Sequence, residues 1–299
     1  MLNIIKHYKF WFLVSGVALA ISIAALIAFG LNFGIDFNGG TLTQVKFGDN
    51  VPSAAEIRGF LGDSNFGDLV VQPAGERSAI VRTPPMEKKE HDRLLQVLGD
   101  KYGLVEEEQF TSIGPVIGRE LRSSAMLQLI VVSFGIIFYI AYAFRKVSKP
   151  VSSWKFGIAA IVALVHDLMI VIGVFAILGR FLHVEIDSLF ITALLTVLGF
   201  SVHDTIVVFD RIRENLRISG GLPLSEIISN SINQTLVRSI NTSLTVIFVL
   251  LALLLFGGET IRWFVLALLV GITAGTYSSI FIASPLLLVW HNWQRRRSG

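Results

Sequence analysis

The chain has 299 residues, of which 53% are hydrophobic and only 16% are charged, and its formal net charge is +3. A soluble domain carries about 25% charged residues, so this composition indicates a membrane protein. The absence of cysteine excludes disulfides, thiolate metal ligands and a cysteine nucleophile.

Six apolar stretches are long enough to span a bilayer, which takes about 20 residues in a helix. The first follows Lys6 and Lys9 and is longer than the apolar run of a cleavable signal, so it is predicted to be an uncleaved signal anchor. The six predicted spans are Phe10–Phe29, Ser123–Phe144, Phe156–Gly179, Asp187–Phe209, Ile240–Phe256 and Trp263–Trp290.

A polar insertion of about residues 38–119 separates the first two spans. Its predicted elements follow the order β-α-β-β-α-β, which is typical of a ferredoxin-like α+β sandwich. Nothing in the insertion resembles an active site, so we expect it to bind a partner or to act as a lever. Its predicted strands and helices are Thr41–Phe47, Ala54–Leu61, Leu69–Gln72, Ala79–Arg82, a helix within Pro84–Tyr102, and Leu104–Ile113.

Basic residues beside the spans predict the orientation. They cluster on one side of the membrane, which the positive-inside rule identifies as the cytoplasm, so both termini are predicted to be cytoplasmic and the insertion to be exported. The predicted domains are 1–37 (first span), 38–119 (exported domain), 120–290 (the other five spans) and the basic tail 291–299. The tail is expected to bind anionic lipid and not nucleic acid. The flanking basic residues are Lys6, Lys9, Arg145, Lys146, Lys149, Arg211, Arg213, Arg217 and Arg295 to Arg297.

A cytoplasmic loop is predicted at about residues 210–237. Within it, Leu224–Ile232 is predicted to form a short amphipathic helix on the membrane surface. In the sixth span, Gly271 and Gly275 have the GxxxG spacing that favours close packing of helices.

Three spans contain ionisable residues, which are costly in hydrocarbon and therefore suggest a functional site. The third span carries His166 and Asp167, and the fourth carries His203 and Asp204, with Thr196 on the same helix face as His203. The fifth span has a polar stripe at positions i, i+3, i+4 and i+7, which consists of Arg238, Asn241, Thr242 and Thr245.

Two interpretations of Asp204 are open. A carboxylate beside a movable arginine can load and release protons, which makes Asp204 and Arg238 a candidate proton pathway. The alternative is a static ion pair that holds two helices together. For His166 and Asp167, a pathway role and simple interhelical hydrogen bonding are likewise open. No cofactor motif, metal motif or hydrolase elbow occurs, so the protein is expected not to be an enzyme.

Several motifs in order along the chain resemble those of the SecF family, the accessory subunits of bacterial protein export. These motifs are Gly34–Thr41, Ser112–Pro115, Ala163–Asp167, Gly199–Asn215 and Gln234–Ser243. The residues that match the family's first and fourth-span motifs include Gly34, Asp36, Gly39, Gly40, Asp210 and Arg211.

The resemblance implies a multi-pass protein of the bacterial plasma membrane that pairs with SecD to form a pseudo-symmetric unit, each partner being half of a fold like that of the resistance-nodulation-division transporters. With the SecYEG channel and SecA, this unit would use the proton motive force to promote export and release of unfolded preproteins. By the motif match, Asp204 and Arg238 take the positions of the family's proton-pathway residues. His203 stands where the family usually has asparagine, and proton and sodium are both open as the coupling ion. The alternative function is a subunit for small-molecule efflux.

Overall fold

The structure is a computed structural model that describes residues 4–48, 51–62, 64, 66–67, 69–143, 153–218 and 221–297. The chain divides into two compact units. The helical unit comprises Met1–Asn32, Gln128–Val184 and Leu189–Gly299, and the α+β unit comprises Phe33–Leu127 and Glu185–Ser188. Outside the described residues lie the predicted span end at Phe144 and the basic residues Arg145, Lys146 and Lys149, together with the side chains of Arg295 and Arg297.

The elements follow one another in chain order after a 3₁₀ turn at Ile4–His7. They are α1 (Tyr8–Phe29), α2 (Ile35–Asn38), β1 (Gly40–Phe47), α3 (Ala54–Gly62), β2 (Val70–Ala74), β3 (Ser78–Thr83), α4 (Lys88–Tyr102), β4 (Val105–Ile113), α5 (Pro115–Ala143), α6 (Ser153–Leu182), α7 (Ser188–Ile218), α8 (Leu224–Phe256), α9 (Glu259–Ser278), a π-helical turn (Ser279–Ala283) and α10 (Ser284–Arg297).

Six helices in the described part of the chain are long and apolar enough to cross a membrane: α1, α5, α6, α7, α8 and the run from α9 to α10. The six predicted spans are therefore confirmed, and the protein is a multi-pass membrane protein. Helices α7 and α8 have 31 and 33 residues. At 1.5 Å per residue they are about 46 and 50 Å long, well beyond a hydrocarbon core of about 30 Å, so part of each extends past the lipid.

The prediction of a separate surface helix at Leu224–Ile232 is wrong, because these residues form the first part of α8. The predicted loop at 210–237 is helical at 210–218 and at 224–237. Ile228 is fully buried here, and Arg211 Nε at the end of α7 donates to Gln234 Oε1 at 2.6 Å. The polar residues here suggested a membrane surface. They instead form contacts between α7 and α8, which pack as a helical hairpin.

Glycines allow close helix contacts in the helical unit. A Cβ added at Gly173 on α6 would lie 2.3 Å from Ser22 Cβ on α1. On α9, a Cβ at Gly271 would lie 2.2 Å from Val197 Cγ2 and one at Gly275 would lie 2.9 Å from Ser201 Cβ, both on α7. The close packing predicted from the GxxxG spacing is thus found, and it seats α9 directly against the helix that carries Asp204.

Replacing Gly271 with alanine is expected to destabilise the helical unit by about 1–3 kcal/mol, the usual cost of overpacking a filled interior. Val197 is β-branched, so its side chain has little freedom to move aside. The thermal unfolding midpoint of the purified protein in detergent measures this loss. The matched control is Gly199→Ala on α7, where an added Cβ has no neighbour within 4 Å. Equal midpoints for the two variants would contradict the proposed contact.

The α+β unit contains a four-stranded sheet in the order β2-β3-β1-β4, with every neighbouring pair antiparallel. The predicted sequence of strands and helices is found. Helices α3 and α4 contribute apolar side chains to one hydrophobic core with the sheet. The buried members of this core are Val45, Phe47, Ile57, Leu61, Leu69, Ala79, Val81, Leu94 and Leu98. One face of the sheet is therefore buried against α3 and α4.

Candidate functional site

Asp204 is buried in α7, with 6% of its surface exposed. Ser279 Oγ, at the start of the π-helical turn, donates to Asp204 Oδ2 at 2.7 Å. A buried carboxylate is costly unless hydrogen bonds satisfy it. The sixth span, not the fifth, supplies the donor seen here.

Asp167 on α6 is completely buried and has three hydrogen-bonding neighbours. Ser201 Oγ on α7 and Ser278 Oγ on α9 donate to its Oδ2 at 2.6 and 2.8 Å. His166 Nδ1 lies 2.9 Å from its Oδ1. Asp167 thus joins three helices, which agrees with an interhelical hydrogen-bonding role and leaves a pathway role open.

The other ring nitrogen of His166 has a different environment. Nε2 is buried and has no hydrogen-bond partner among the described residues. The ring stacks on Tyr277, with the two centroids 6.3 Å apart and the planes inclined by 27°. Nε2 is therefore able to donate or accept one further hydrogen bond.

The polar stripe of the fifth span is exposed on the surface of this chain. Thr242 and Thr245 bond backbone carbonyls of their own helix, at 2.9 and 2.8 Å. Within the described part of the chain, the Arg238 guanidinium has no ion-pair or hydrogen-bond partner, and the expected contact with Asp204 is not formed. Asn241 is exposed on the same stripe. The static pair between Asp204 and Arg238 is therefore absent from this structure.

The residues of the fourth span beside Asp204 are also exposed. His203 is exposed, and the exposed Thr196 uses its hydroxyl to bond Thr192 O at 2.8 Å. At the end of α7, Asp210 pairs with Arg213 at 2.6 Å and Arg211 pairs with Glu214 at 2.6 Å, each within one helical turn. Such exposed pairs contribute at most a few tenths of a kcal/mol, so they add little to the stability of α7.

Sequence reasoning missed Ser201, Ser278 and Ser279, although these serines hold both buried carboxylates. The available signal was a group of hydroxyl residues in an otherwise apolar span, comprising Thr276, Ser278, Ser279 and Ser284. No group of three or more histidine, aspartate or glutamate residues in the described ranges is arranged to hold a metal ion.

The glycine-rich motif after α1 organises the α+β unit. Gly34 N donates to Ile186 O at 2.9 Å, and Ser188 N donates to Asp36 Oδ2 at 2.8 Å. Ser188 is the first residue of α7, so Asp36 accepts a hydrogen bond from a backbone amide at a helix start, where a negative charge is favourable. Gly39 has φ +77°, and a Cβ there would lie 2.9 Å from Pro115 Cα. Gly40 has φ +147°, and a Cβ there would meet Ile35 Cγ2 at 2.9 Å.

A shielded ion pair lies beside this motif. Arg82 Nε is 3.1 Å from Glu185 Oε2, with side-chain exposures of 16% and 15%. Arg82 Nε forms no hydrogen bond with any described residue, while Nη1 of the same arginine donates to Gln72 Oε1 at 2.7 Å. Burial raises the pKa of Glu185, Arg82 opposes that rise and Asp187 adds to it. Sequence reasoning missed Glu185 because it lies in a short link between spans.

Replacing Arg82 with alanine is expected to cost about 2 kcal/mol of stability at neutral pH, because it leaves a shielded carboxylate unpaired. The folded-state pKa of Glu185 already lies above its unfolded value, and the substitution raises it further. The folded form then binds the proton more tightly than the unfolded form, so the loss shrinks as the pH falls.

Thermal unfolding of the detergent-solubilised protein between neutral pH and about pH 5 measures this effect. Arg262→Ala is the matched control, since Arg262 pairs with Glu259 at 3.2 Å while both side chains are about half exposed. The control is expected to change stability by less than about 0.5 kcal/mol. A loss in Arg82→Ala that does not vary with pH would contradict the assignment to Glu185.

Two family models match this sequence. The one described as "Protein export membrane protein SecD/SecF, C-terminal" covers residues 95–293, and the one described as "SecD/SecF GG Motif" covers residues 24–51. The second match includes the motif whose Asp36 bonds the start of α7.

Curated relatives match over almost the full length. The protein translocase subunit SecF of Thermobaculum terrenum is 47% identical, with 98% of this chain and 95% of the relative covered. The SecF of Anaerolinea thermophila is 41% identical, with 99% and 98% covered. The crystal structure of SecDF from Thermus thermophilus, described as a translocon-associated membrane protein, matches with a TM-score of 0.86 and 35% identity. It covers 97% of this chain, and this chain spans 39% of that longer one.

Proposed function

Because the chain belongs to the SecD/SecF family of protein export membrane proteins, we propose that it uses the proton motive force, together with SecD, to promote preprotein export through the SecYEG channel. Its role as an accessory subunit of the Sec translocase follows from the SecF and SecDF relatives. In this proposal the protein is not an enzyme. Its work is conformational, driven by moving charge across the membrane, at about 2.3 kcal/mol per charge per 100 mV.

The observation that carries the proposal is the separation of Asp204 from Arg238. Asp204 is buried inside the helical unit, while Arg238 is exposed on an apolar helix. An arginine facing lipid is costly, so another protein surface or water has to cover the polar stripe. A second subunit with its own intramembrane acid would both cover the polar stripe and place a negative charge opposite Arg238.

SecD is the partner that fits this requirement. The matched Thermus structure is a SecDF chain in which a region like this protein occupies 39% of the length. We propose that the present chain forms one half of a pseudo-symmetric unit, like that of resistance-nodulation-division transporters, and that SecD forms the other. In this arrangement Asp204 loads and releases the proton, Arg238 responds to its charge, and His203 adds a titratable group at the same level.

The α+β unit is proposed to be a ferredoxin-like exported domain that contacts unfolded preprotein. Its sheet order and the two helices of its core support this architecture. Both termini would then be cytoplasmic in the bacterial plasma membrane, with SecA on the same side. The basic tail would contact anionic lipid, in keeping with the distribution of arginine and lysine.

Inverted membrane vesicles containing SecYEG, SecA and SecD test the proposal, with and without this protein. The difference in translocated preprotein between the two vesicle populations is expected to disappear when a protonophore collapses the gradient. A difference that persists without the gradient would contradict proton-driven function. A protonophore added to vesicles lacking the protein corrects for the gradient dependence of the channel itself.

A further inference from the structure

Two adjacent serines bond two different buried carboxylates. Ser278, the last residue of α9, donates to Asp167 on α6 at 2.8 Å. Ser279, the first residue of the π-helical turn, donates to Asp204 on α7 at 2.7 Å. Consecutive residues of a helix point about 100° apart, so one short segment reaches two neighbouring helices. Ser201, three residues before Asp204 on α7, also donates to Asp167, but it makes no bond to Asp204 itself among the described residues.

Each serine hydroxyl also has a second acceptor in the preceding turn. Ser278 Oγ lies 3.2 Å from Gly275 O, and Ser279 Oγ lies 3.1 Å from Thr276 O. A hydroxyl carries a single proton, so it donates well to only one of its two acceptors at a time. An ionised carboxylate is the stronger acceptor. When the acid becomes protonated, the hydroxyl is free to turn towards the backbone carbonyl.

The backbone at this point is suited to such a change. The π-helical turn starts at Ser279, and Ser284 Oγ donates to Ser279 O at 3.0 Å across five residues. Single π-helical turns within α-helices are frequent at functional sites and leave the local hydrogen bonding less regular. One turn earlier, Thr276 Oγ1 lies 2.6 Å from Ser243 Oγ on α8, the helix that carries Arg238. The segment 276–279 therefore contacts all three helices that carry the predicted pathway residues.

We propose that Ser278 and Ser279 are positioning residues that couple the protonation state of Asp167 to that of Asp204. This inference rests on the proposed proton-driven function and adds a second carboxylate to it. The charged and titratable groups around the pair are His166 beside Asp167, Tyr277 stacked on His166, His203 next to Asp204 in the chain, and the exposed Arg238 on α8. A proton arriving at one acid releases its serine, and the shared backbone passes that change to the other serine.

Labelling with dicyclohexylcarbodiimide tests the coupling, because this reagent reacts with protonated carboxyl groups in apolar surroundings. The full chain is labelled in membranes with SecD at one fixed pH, and mass spectrometry quantifies the rate at Asp204. We expect Asp167→Asn to change that rate about three-fold or more when both serines are present. With Ser278→Ala or Ser279→Ala, the same Asp167→Asn change is expected to leave the rate unaltered. The threonine variants Ser278→Thr and Ser279→Thr retain the hydroxyl and are expected to restore the coupling.

Thr273→Ala is the matched control, since Thr273 lies on α9 and bonds only Leu269 O of its own helix, at 2.7 Å. It is expected to preserve the effect of Asp167→Asn. The coupling proposal is overturned if Asp167→Asn still changes the labelling rate at Asp204 in both Ser278→Ala and Ser279→Ala. It is also overturned if Asp167→Asn does not change that rate when both serines are present. Labelling does not depend on export, so failure here leaves the proposed function standing. Normal export by Asp204→Asn would instead overturn the proposed function.

Discussion

Replacing Asp204 with asparagine is expected to leave the protein inserted and bound to SecD while removing all of its gradient-driven stimulation of export. Asparagine keeps an oxygen that accepts the hydrogen bond from Ser279, so the change in stability is expected to be about 1 kcal/mol or less. The asparagine side chain cannot bind and release a proton, so the proposed transport cycle is expected to stop. The measurement is translocated preprotein in vesicles with an intact proton gradient.

Glu259→Gln provides the matched control for this substitution. Glu259 is an exposed acid in the first turn of α9 and pairs with Arg262, and its neutral variant is expected to export like the natural sequence. Normal stimulation by Asp204→Asn, in protein shown to be inserted, would refute a proton-carrying role for this acid. Glutamate at the same position keeps a titratable group and is expected to retain part of the activity.

Replacing Arg238 with glutamine is expected to abolish gradient-driven export as well, but through a different route. Arg238 has no partner in the described part of this chain, so its removal breaks no internal ion pair and is expected to leave the thermal midpoint nearly unchanged. In the proposed cycle, loss of this positive charge removes the group that favours the ionised acid. Export in vesicles and thermal unfolding of the purified protein measure the two effects separately.

The control for Arg238 is Arg262→Gln, an exposed arginine that pairs with Glu259 and is expected to retain full export. Exchanging the charges, with Asp204→Arg and Arg238→Asp together, distinguishes the pathway from a static pair. One position is buried and the other exposed, so the exchange is expected not to restore export. Restored export would show that the two groups need only attract each other.

The six spans were predictable because long apolar runs leave few alternatives in a membrane. The ends of α7 and α8 were not, since a polar sequence was taken to mark a membrane surface. There Arg211 on α7 donates a hydrogen bond to Gln234 on α8. The polar residues of this region therefore mark a contact between two helices and not the end of a helix. Hydropathy cannot distinguish a helix that ends at the membrane surface from one that continues and pairs with a neighbouring helix, because polar contacts replace lipid contacts in both.

The acids of the candidate site were predictable from their cost in lipid, whereas their partners were not. Arg238 was expected beside Asp204 because opposite charges attract, yet the hydroxyl of Ser279 takes that place. A serine in an apolar helix is inexpensive and often bonds its own backbone, so its presence alone predicts little. Which helix faces which acid depends on close packing at Gly271 and Gly275, and this emerges only from the assembled fold.

The link between α6 and α7 has a practical consequence for labelling the protein. Its residues 185–188 are held by the Arg82 pair, the Gly34 amide and the Asp36 carboxylate, so a tag or fluorophore inserted there would break all three. The turn between β2 and β3 offers the opposite situation. Glu76 and Arg77 are exposed, and a Cβ built at Gly75 would have no neighbour within 4 Å. A reporter dye attached at this turn can therefore follow the α+β unit without disturbing the start of α7.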